Sequence, residues 1–85
     1  MSEESPAAHI EDLIRYVATS LVDNPDAIVI TTHSEGSVIS VTIEAAPDDV
    51  GKIIGRAGRT IKSIRTLARA SVGAPQLTVE VDVEG

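Results

Sequence analysis

The sequence predicts an α+β domain in which helices cover one face of a three-stranded mixed sheet. Three observations support this prediction. Apolar residues recur at helical spacing, β-branched residues alternate with polar ones in short segments, and these segments follow the order α-β-β-α-α-β. A chain of 85 residues is long enough for one domain, so we expect residues 1–85 to fold as a unit, with residues 1–4 as a frayed acidic tail.

The first helix is predicted to begin at Ser5-Pro6, where a hydroxyl can cap the helix and proline suits its first position. Apolar residues then follow at spacings of three and four, which predicts one buried stripe. These residues are Ile10, Leu13, Ile14, Val17 and Leu21. The helix should end at Asp23-Asn24-Pro25, because the residue before a proline avoids the helical region.

Two β-branched runs, residues 28–32 and 38–43, predict a hairpin connected by residues 33–37. In the second run Ile39, Val41 and Ile43 alternate with polar residues, so one face of this strand should be buried.

Two helices are then predicted, one on each side of a glycine-bracketed turn. The first opens at Pro47-Asp48-Asp49, since carboxylates favour the positive amino-terminal end of a helix, and it continues to Ile54. The second starts at residue 58 or 59 and runs to about residue 72, where a Gly-Ala-Pro segment stops it.

Residues 77–83 alternate between aliphatic and polar side chains, which predicts a third strand. The first two strands should pair antiparallel. The third follows a helical crossover and should lie parallel to one of them, so the sheet should be mixed.

Charge is distributed unevenly along the chain. The formal net charge is −6, yet six of the seven basic residues lie between Lys52 and Arg69. Residues 50–79 contain no Asp or Glu and carry +6, which leaves −12 on the remainder. A binding surface responds mainly to charges within about 10 Å at 0.1 M salt, so this local excess matters more than the net charge.

The sequence offers no chemistry for catalysis, metal binding or membrane insertion. It has no cysteine, no His-x-x-x-His pair and no serine with an evident histidine base, so we predict neither an enzyme nor a metal site. It has no nucleotide-binding P-loop or dinucleotide fingerprint, so no cofactor is predicted. No apolar run reaches 18 residues, which predicts a cytoplasmic protein without a membrane partner.

The segment Gly55-Arg56-Ala57-Gly58, which we call the glycine loop, is suited to an anionic ligand. Glycine at both ends allows a sharp turn and a close approach by another backbone. The amides at the start of the following helix lack intrahelical partners, and the helix dipole adds positive charge there. At 100° per residue, four basic side chains share one stripe of that helix. They are Arg59, Lys62, Arg65 and Arg69.

Residues 53–61, with Ile64 after them, resemble the I-G-x-x-G-x-x-I signature of the KH domain. The element order resembles the type II, bacterial form of that fold. Residues 48–65 resemble more narrowly the small single-KH proteins called KhpA, and the resemblance covers nearly the whole chain. It implies binding of single-stranded RNA, because the Gly-x-x-Gly loop of KH domains clamps the backbone of about four nucleotides.

The resemblance also implies which residues bind. The glycine loop would hold phosphates, with Arg56 as its charged member, and Ile54, Ile61 and Ile43 would line or support a groove for bases. The complete implied RNA-binding set is Lys52, Ile54, Gly55, Arg56, Ala57, Gly58, Arg59, Ile61, Lys62 and Arg65.

A KhpA-like protein would act as an RNA chaperone or post-transcriptional regulator. The resemblance further implies a homodimer and a larger Jag-type (KhpB) RNA-binding partner linked to cell division, envelope growth and cell shape. The alternative is a KH-like dimerisation or docking module whose basic stripe meets an acidic protein and whose RNA binding is weak or absent. Single-stranded DNA fits a similar groove, and only a preference for the 2′-OH distinguishes the two.

Overall fold

A computed structural model describes residues 6–73 and 76–85. The predicted Ser5 cap, the tail of residues 1–4, and Ala74 and Pro75 lie outside the described residues. The helices and strands are α1 (Pro6–Leu21), β1 (Val29–Glu35), β2 (Val38–Glu44), α2 (Val50–Ile54), α3 (Arg59–Val72) and β3 (Thr78–Glu84). Their order confirms the α-β-β-α-α-β prediction.

The sheet has the strand order β1-β2-β3. Strands β1 and β2 pair antiparallel, from Val29 opposite Glu44 to Glu35 opposite Val38. Strand β3 lies parallel to β2, because the crossover through α2 and α3 returns the chain to the end of the sheet where β2 begins. The predicted mixed sheet is therefore confirmed, and this is the type II KH arrangement.

The predicted hairpin connection of residues 33–37 is wrong in length. Backbone pairing continues until Glu35 lies opposite Val38, so only Gly36 and Ser37 remain in the turn. Gly36 has φ 59°, the positive value that tight two-residue hairpin turns require. Polar side chains near the turn suggested a loop, but an exposed strand edge accepts them equally well.

The core is built from Ile, Val and Ala side chains that fill the space between α1, α3 and one face of the sheet. In α1 the buried residues are Ile10, Ile14 and Ala18, spaced four apart. The predicted stripe is therefore wrong at its end: Leu21, the last residue of α1, keeps 38% of its surface exposed, while the small Ala18 is fully buried. No leucine is among the buried core residues of the described ranges.

The predicted end of the first of the two later helices and both predicted ends of the second are confirmed, whereas α2 begins at Val50 and not at the predicted Pro47. Helix α2 ends at Ile54 and α3 begins at Arg59, so the glycine loop lies between them. One difference is that Pro47–Asp49 forms a separate 3-10 turn before α2. Over the described ranges, no helix has the length and apolar character needed to cross a membrane.

Candidate nucleic-acid interface

The glycine loop departs from helical geometry at three of its four residues. Gly55 has φ 76° and ψ 172°, Ala57 has φ 56° and ψ 26°, and Gly58 has φ 72° and ψ 17°. All three φ values are positive. Residues other than glycine seldom occupy this region of backbone conformation. The loop therefore reverses the chain between α2 and α3 within four residues.

The two glycines are required for different reasons. A Cβ placed on Gly55 would lie 2.7 Å from the Thr60 Cβ, 2.9 Å from the Thr60 amide nitrogen and nearer still to Thr60 Oγ1. A Cβ on Gly58 would meet only Ile61 Cγ2, at 3.9 Å. Position 55 thus requires glycine because of close packing as well as its φ angle, whereas position 58 requires glycine because of its φ angle alone.

Ala57 is the only residue other than glycine with a positive φ among the described residues. This conformation costs roughly 1–2 kcal/mol for an L-residue. The sequence did not predict it, because alanine carries no preference for the left-handed region. The strain lies in the exposed centre of the loop, and functional sites are where such strain is commonly kept.

The backbone amides of the loop are only partly free. The N–H of Gly55 donates to the Gly51 carbonyl at 2.8 Å, and that of Gly58 donates to the Gly55 carbonyl at 3.1 Å. The N–H of Arg59 donates to the Arg56 carbonyl. Within the described ranges, the N–H groups of Arg56 and Ala57 have no hydrogen-bond partner, and both residues are exposed. Within the glycine loop, two main-chain donors therefore remain available to an anion.

The basic residues around the loop fall into two groups. Lys52 pairs with Asp23 and, at 3.1 Å, with Asp49. Arg65 turns toward the sheet, where its Nε donates to the Val81 carbonyl at 3.1 Å. The remaining basic side chains form no hydrogen bond or ion pair with any described residue. They are Arg56, Arg59, Lys62 and Arg69.

Arg65 therefore leaves the basic stripe that helical spacing predicted. Its Nη2 atom lies 4.0 Å from Asp82 Oδ1, and its side chain is 37% exposed. The contact joins α3 to β3, so the Arg65 guanidinium group interacts with the protein itself and is less available to a ligand. A periodicity of 3.6 residues assigns a side chain to a helix face, but it does not reveal a carbonyl acceptor on a neighbouring strand.

Apolar surface beside the loop comes from Ile54, which is 37% exposed. Ile61 is 7% exposed and Ile43 is 0% exposed, so both lie in the core and can support a groove only from beneath. Of the three isoleucines implied by the resemblance, Ile54 alone offers a substantial contact surface.

Asp49 has a structural role that the sequence did not predict. It is 1% exposed, and it accepts hydrogen bonds from the backbone N–H groups of Asn24 at 3.0 Å and Asp23 at 3.3 Å. It lies at the N-cap of α2, as the helix-end interpretation predicted, but its side chain makes no capping hydrogen bond to that helix. Instead it fixes the connection between α1 and β1 against the start of α2. The partners are 25 and 26 residues away in sequence, so no local pattern could reveal them.

This network shifts the pKa values of its members. Burial alone would raise the pKa of Asp49, but hydrogen bonds from Lys52, Asn24 and Asp23 outweigh it and hold that pKa below the ordinary value of 3.8. The hydrogen bond to Asp23, with that to Asp49, raises the pKa of Lys52 above 10.5. Because the Asp49 pKa is lower in the folded state, its contribution to stability is complete above about pH 4 and is lost as the pH falls through the folded pKa.

Changing Asp49 to Asn should lower the melting temperature at pH 7 by roughly 5 to 10 °C, since Asn accepts fewer of these hydrogen bonds. The difference from the wild type should shrink as the pH falls below about 4, because the wild-type carboxylate becomes protonated there. Thermal melts followed by circular dichroism measure both effects. Asp48→Asn is the matched control, since Asp48 is exposed and should respond little. An unchanged gap between wild type and Asp49→Asn at low pH would contradict this account.

Comparison with known proteins places the chain in a family. The model of the family described as "KhpA/KhpB, KH domain" matches residues 11–83. An RNA-binding protein KhpA of Halalkalibacterium halodurans is 32% identical over 74 residues, covering 87% of this chain and 97% of that protein. The RNA-binding protein KhpA of Oceanobacillus iheyensis is 48% identical over 59 residues, covering 69% and 79%. That of Mycobacterium tuberculosis is 35% identical over 75 residues, covering 88% and 92%.

Solved structures show the same fold within a larger protein. A crystal structure of an Aquifex aeolicus Era variant bound to GDP.AlF4- superposes with a TM-score of 0.70 at 22% identity over 98% of this chain. A complex of Era with MgGDPNP and a segment of 16S ribosomal RNA superposes with a TM-score of 0.59 at 22% identity over 88% of the chain. This chain spans only 33% and 30% of those two Era chains. The predicted resemblance is confirmed: the chain belongs to the KhpA/KhpB KH-domain family.

Proposed function

We propose that this chain is a small RNA-binding protein that holds the phosphate backbone of single-stranded RNA at the glycine loop. One observation carries the proposal. The exposed amides of Arg56 and Ala57 have no partner among the described residues, and they lie beside basic side chains that are equally unpaired there. Main-chain donors backed by positive charge are what phosphate oxygens require. The relatives named RNA-binding protein KhpA support the same function.

In this proposal, the position of each residue determines which part of the RNA it contacts. Arg56 and Ala57 offer their N–H groups to one phosphate, while the Arg56 and Arg59 side chains supply charge on either side of it. Gly55 and Gly58 shape the loop without contributing a donor of their own, since their amides are already used. Lys62 extends the positive surface one turn along α3, and the exposed part of Ile54 offers apolar contact to a base.

Lys52, Ile61 and Arg65 act less directly in this proposal. Ile61 supports the loop from the core, being 7% exposed. Lys52 and Arg65 add to the local positive field, but each is also bonded within the fold. We infer a binding role without catalysis for the chain as a whole.

A docking module without RNA binding is the less favoured alternative, because the matching relatives are named as RNA-binding proteins. Protein partners remain part of the proposal. We infer a homodimer and pairing with a KhpB-type protein, supported by a family description that covers both KhpA and KhpB. Exposed apolar side chains such as Tyr16 (73%) and Leu67 (49%) could contribute to such contacts. Light scattering of the purified protein, alone and with a KhpB-type protein, tests this.

We place the protein in the cytoplasm, as an RNA chaperone or post-transcriptional regulator with effects on cell shape. A single module of this size reads few nucleotides, so its targets have to be found in cells. Crosslinking followed by sequencing of the bound RNA identifies them, with a variant carrying two aspartates in the glycine loop as the control.

Affinity for single-stranded RNA should fall steeply with salt. If about four phosphates are contacted, log K against log salt should have a slope near −3, because single strands release about 0.7 counterion per contact. Fluorescence anisotropy with a labelled unstructured RNA at several KCl concentrations measures the slope. Single-stranded DNA of the same sequence and a double-stranded RNA are the comparison ligands. Binding that does not respond to salt would contradict a contact made mainly with phosphate.

A further inference from the structure

Lys52 lies in a cluster with two acidic residues just before the glycine loop. Its ammonium group pairs with Asp23 and lies 3.1 Å from Asp49 Oδ1. Asp23 belongs to the connection that follows α1, and Asp49 immediately precedes α2. The cluster thus brings together a segment near residue 23 and the helix that leads into the loop.

The two carboxylates differ in how firmly they are held. Asp49 is buried and also accepts the backbone N–H groups of Asn24 and Asp23, so it cannot leave Lys52 without breaking several hydrogen bonds. The Asp23 side chain is 81% exposed, and its ion pair with Lys52 is the one hydrogen bond or ion pair that this side chain makes with a described residue. Asp23 is therefore the partner that another anion could replace.

The charge of the cluster opposes binding of an anion. Two carboxylates and one ammonium group leave it at −1, although Lys52 is only three residues from Gly55. Three residues of an α-helix rise by about 4.5 Å, which is within the range of about 8 Å over which charges act at physiological salt. The Lys52 side chain is 41% exposed, so an approaching phosphate could reach its ammonium group.

We propose that Asp23 lowers the affinity of the glycine loop for RNA by competing with phosphate for the Lys52 ammonium group. This inference rests on the proposed function and names a residue that sets the strength of binding. A phosphate near α2 must share Lys52 with Asp23 or displace it, whereas Asp49 stays in place and orients the lysine. Affinity is then determined in part by the connection after α1, which the sequence pattern gives no reason to include in the site.

The test is Asp23→Asn against Asp26→Asn. Both residues are exposed, both lie in the same connection, and each change removes one negative charge; Asp26 forms no ion pair with a described residue. Freeing Lys52 for one further phosphate contact should tighten RNA binding about fivefold at 0.1 M salt and steepen the salt slope by about 0.7. Asp26→Asn should change the affinity less than about twofold and leave the slope unchanged.

A second comparison asks whether the gain passes through Lys52. In a Lys52→Gln background, Asp23→Asn should no longer tighten binding, because the group it frees is gone. Thermal melts of each variant verify that it is folded, and the salt slope of Asp23→Asn alone decides the question if Lys52→Gln is unstable. An equal gain from Asp23→Asn and Asp26→Asn, or a gain that persists without Lys52, would overturn the inference.

These outcomes are distinct from failure of the proposed function. If the wild-type protein binds no RNA, or binds it equally well with two aspartates in the glycine loop, the proposed function itself is wrong. If wild-type binding depends on the loop but Asp23→Asn behaves like Asp26→Asn, only the role of Asp23 is wrong.

Discussion

Changing Arg56 and Ala57 together to Asp should weaken binding of single-stranded RNA by about 100-fold or more while the protein stays folded. The double change shifts the charge of the loop by three units and places two carboxylates beside the only unbonded amides of the loop. Like charges a few ångströms apart repel by about 1 kcal/mol each even at the dielectric constant of water, and a lost phosphate contact adds to this. Both residues are exposed, and Asp tolerates the left-handed conformation of residue 57 better than most residues.

The measurement is anisotropy with a labelled RNA, and circular dichroism verifies the fold. A suitable control is Ser34→Asp with Ser37→Asp, which adds two carboxylates near the β1–β2 turn. That turn lies at the start of β2, whereas the glycine loop follows the other end of the same strand. The control should retain most of the affinity. Unchanged RNA binding by the folded loop variant would show that the glycine loop does not hold the phosphate.

Gly55→Ala should be the most destabilising single change in the loop, by roughly 3 kcal/mol in the free energy of unfolding. Two costs combine here. The φ and ψ angles of 76° and 172° belong to a region that only glycine occupies readily, and the new methyl group would overlap Thr60. Trimming Thr60 to Ala should not restore stability, because the Thr60 Cβ and amide nitrogen would still lie within 3 Å of the added Cβ.

Gly58→Ala provides the comparison. Its φ of 72° and ψ of 17° lie in the left-handed region, which costs alanine less than the conformation of Gly55, and the added methyl group has room, so the expected cost is only about 1 kcal/mol. Urea denaturation of both variants measures the difference. If the two changes cost the same, the contact between Gly55 and Thr60 is not what requires glycine at the first position.

Much of the fold could be predicted because its patterns are local. Alternation in β2 and β3 and the apolar spacing of α3 each follow from the faces that pack on the core. The glycine loop was found for the same reason, since glycine marks a backbone turn within four residues. The boundaries at Ile54 and Arg59 follow directly from it.

What the sequence could not predict depends on contacts between distant segments. Asp49 was predicted as a helix-end carboxylate and does lie at the N-cap of α2, but the hydrogen bonds that it accepts from the Asp23 and Asn24 amides could not be predicted. Lys52 and Arg65 were predicted to bind RNA from the KH resemblance and, for Arg65, from helical spacing, but neither reveals that the fold supplies each with a carboxylate or carbonyl partner. The left-handed Ala57 was missed because its conformation is imposed by the closure of the loop.

The purely aliphatic interior determines how this protein can be observed. The chain has no Trp or Phe and a single Tyr, and Tyr16 is 73% exposed on α1. Its ring meets water in the native state almost as fully as in the denatured chain, so ultraviolet emission should report little of the folding transition. The same ring is a clean optical sensor of anything that docks on α1, because no interior chromophore contributes to the signal.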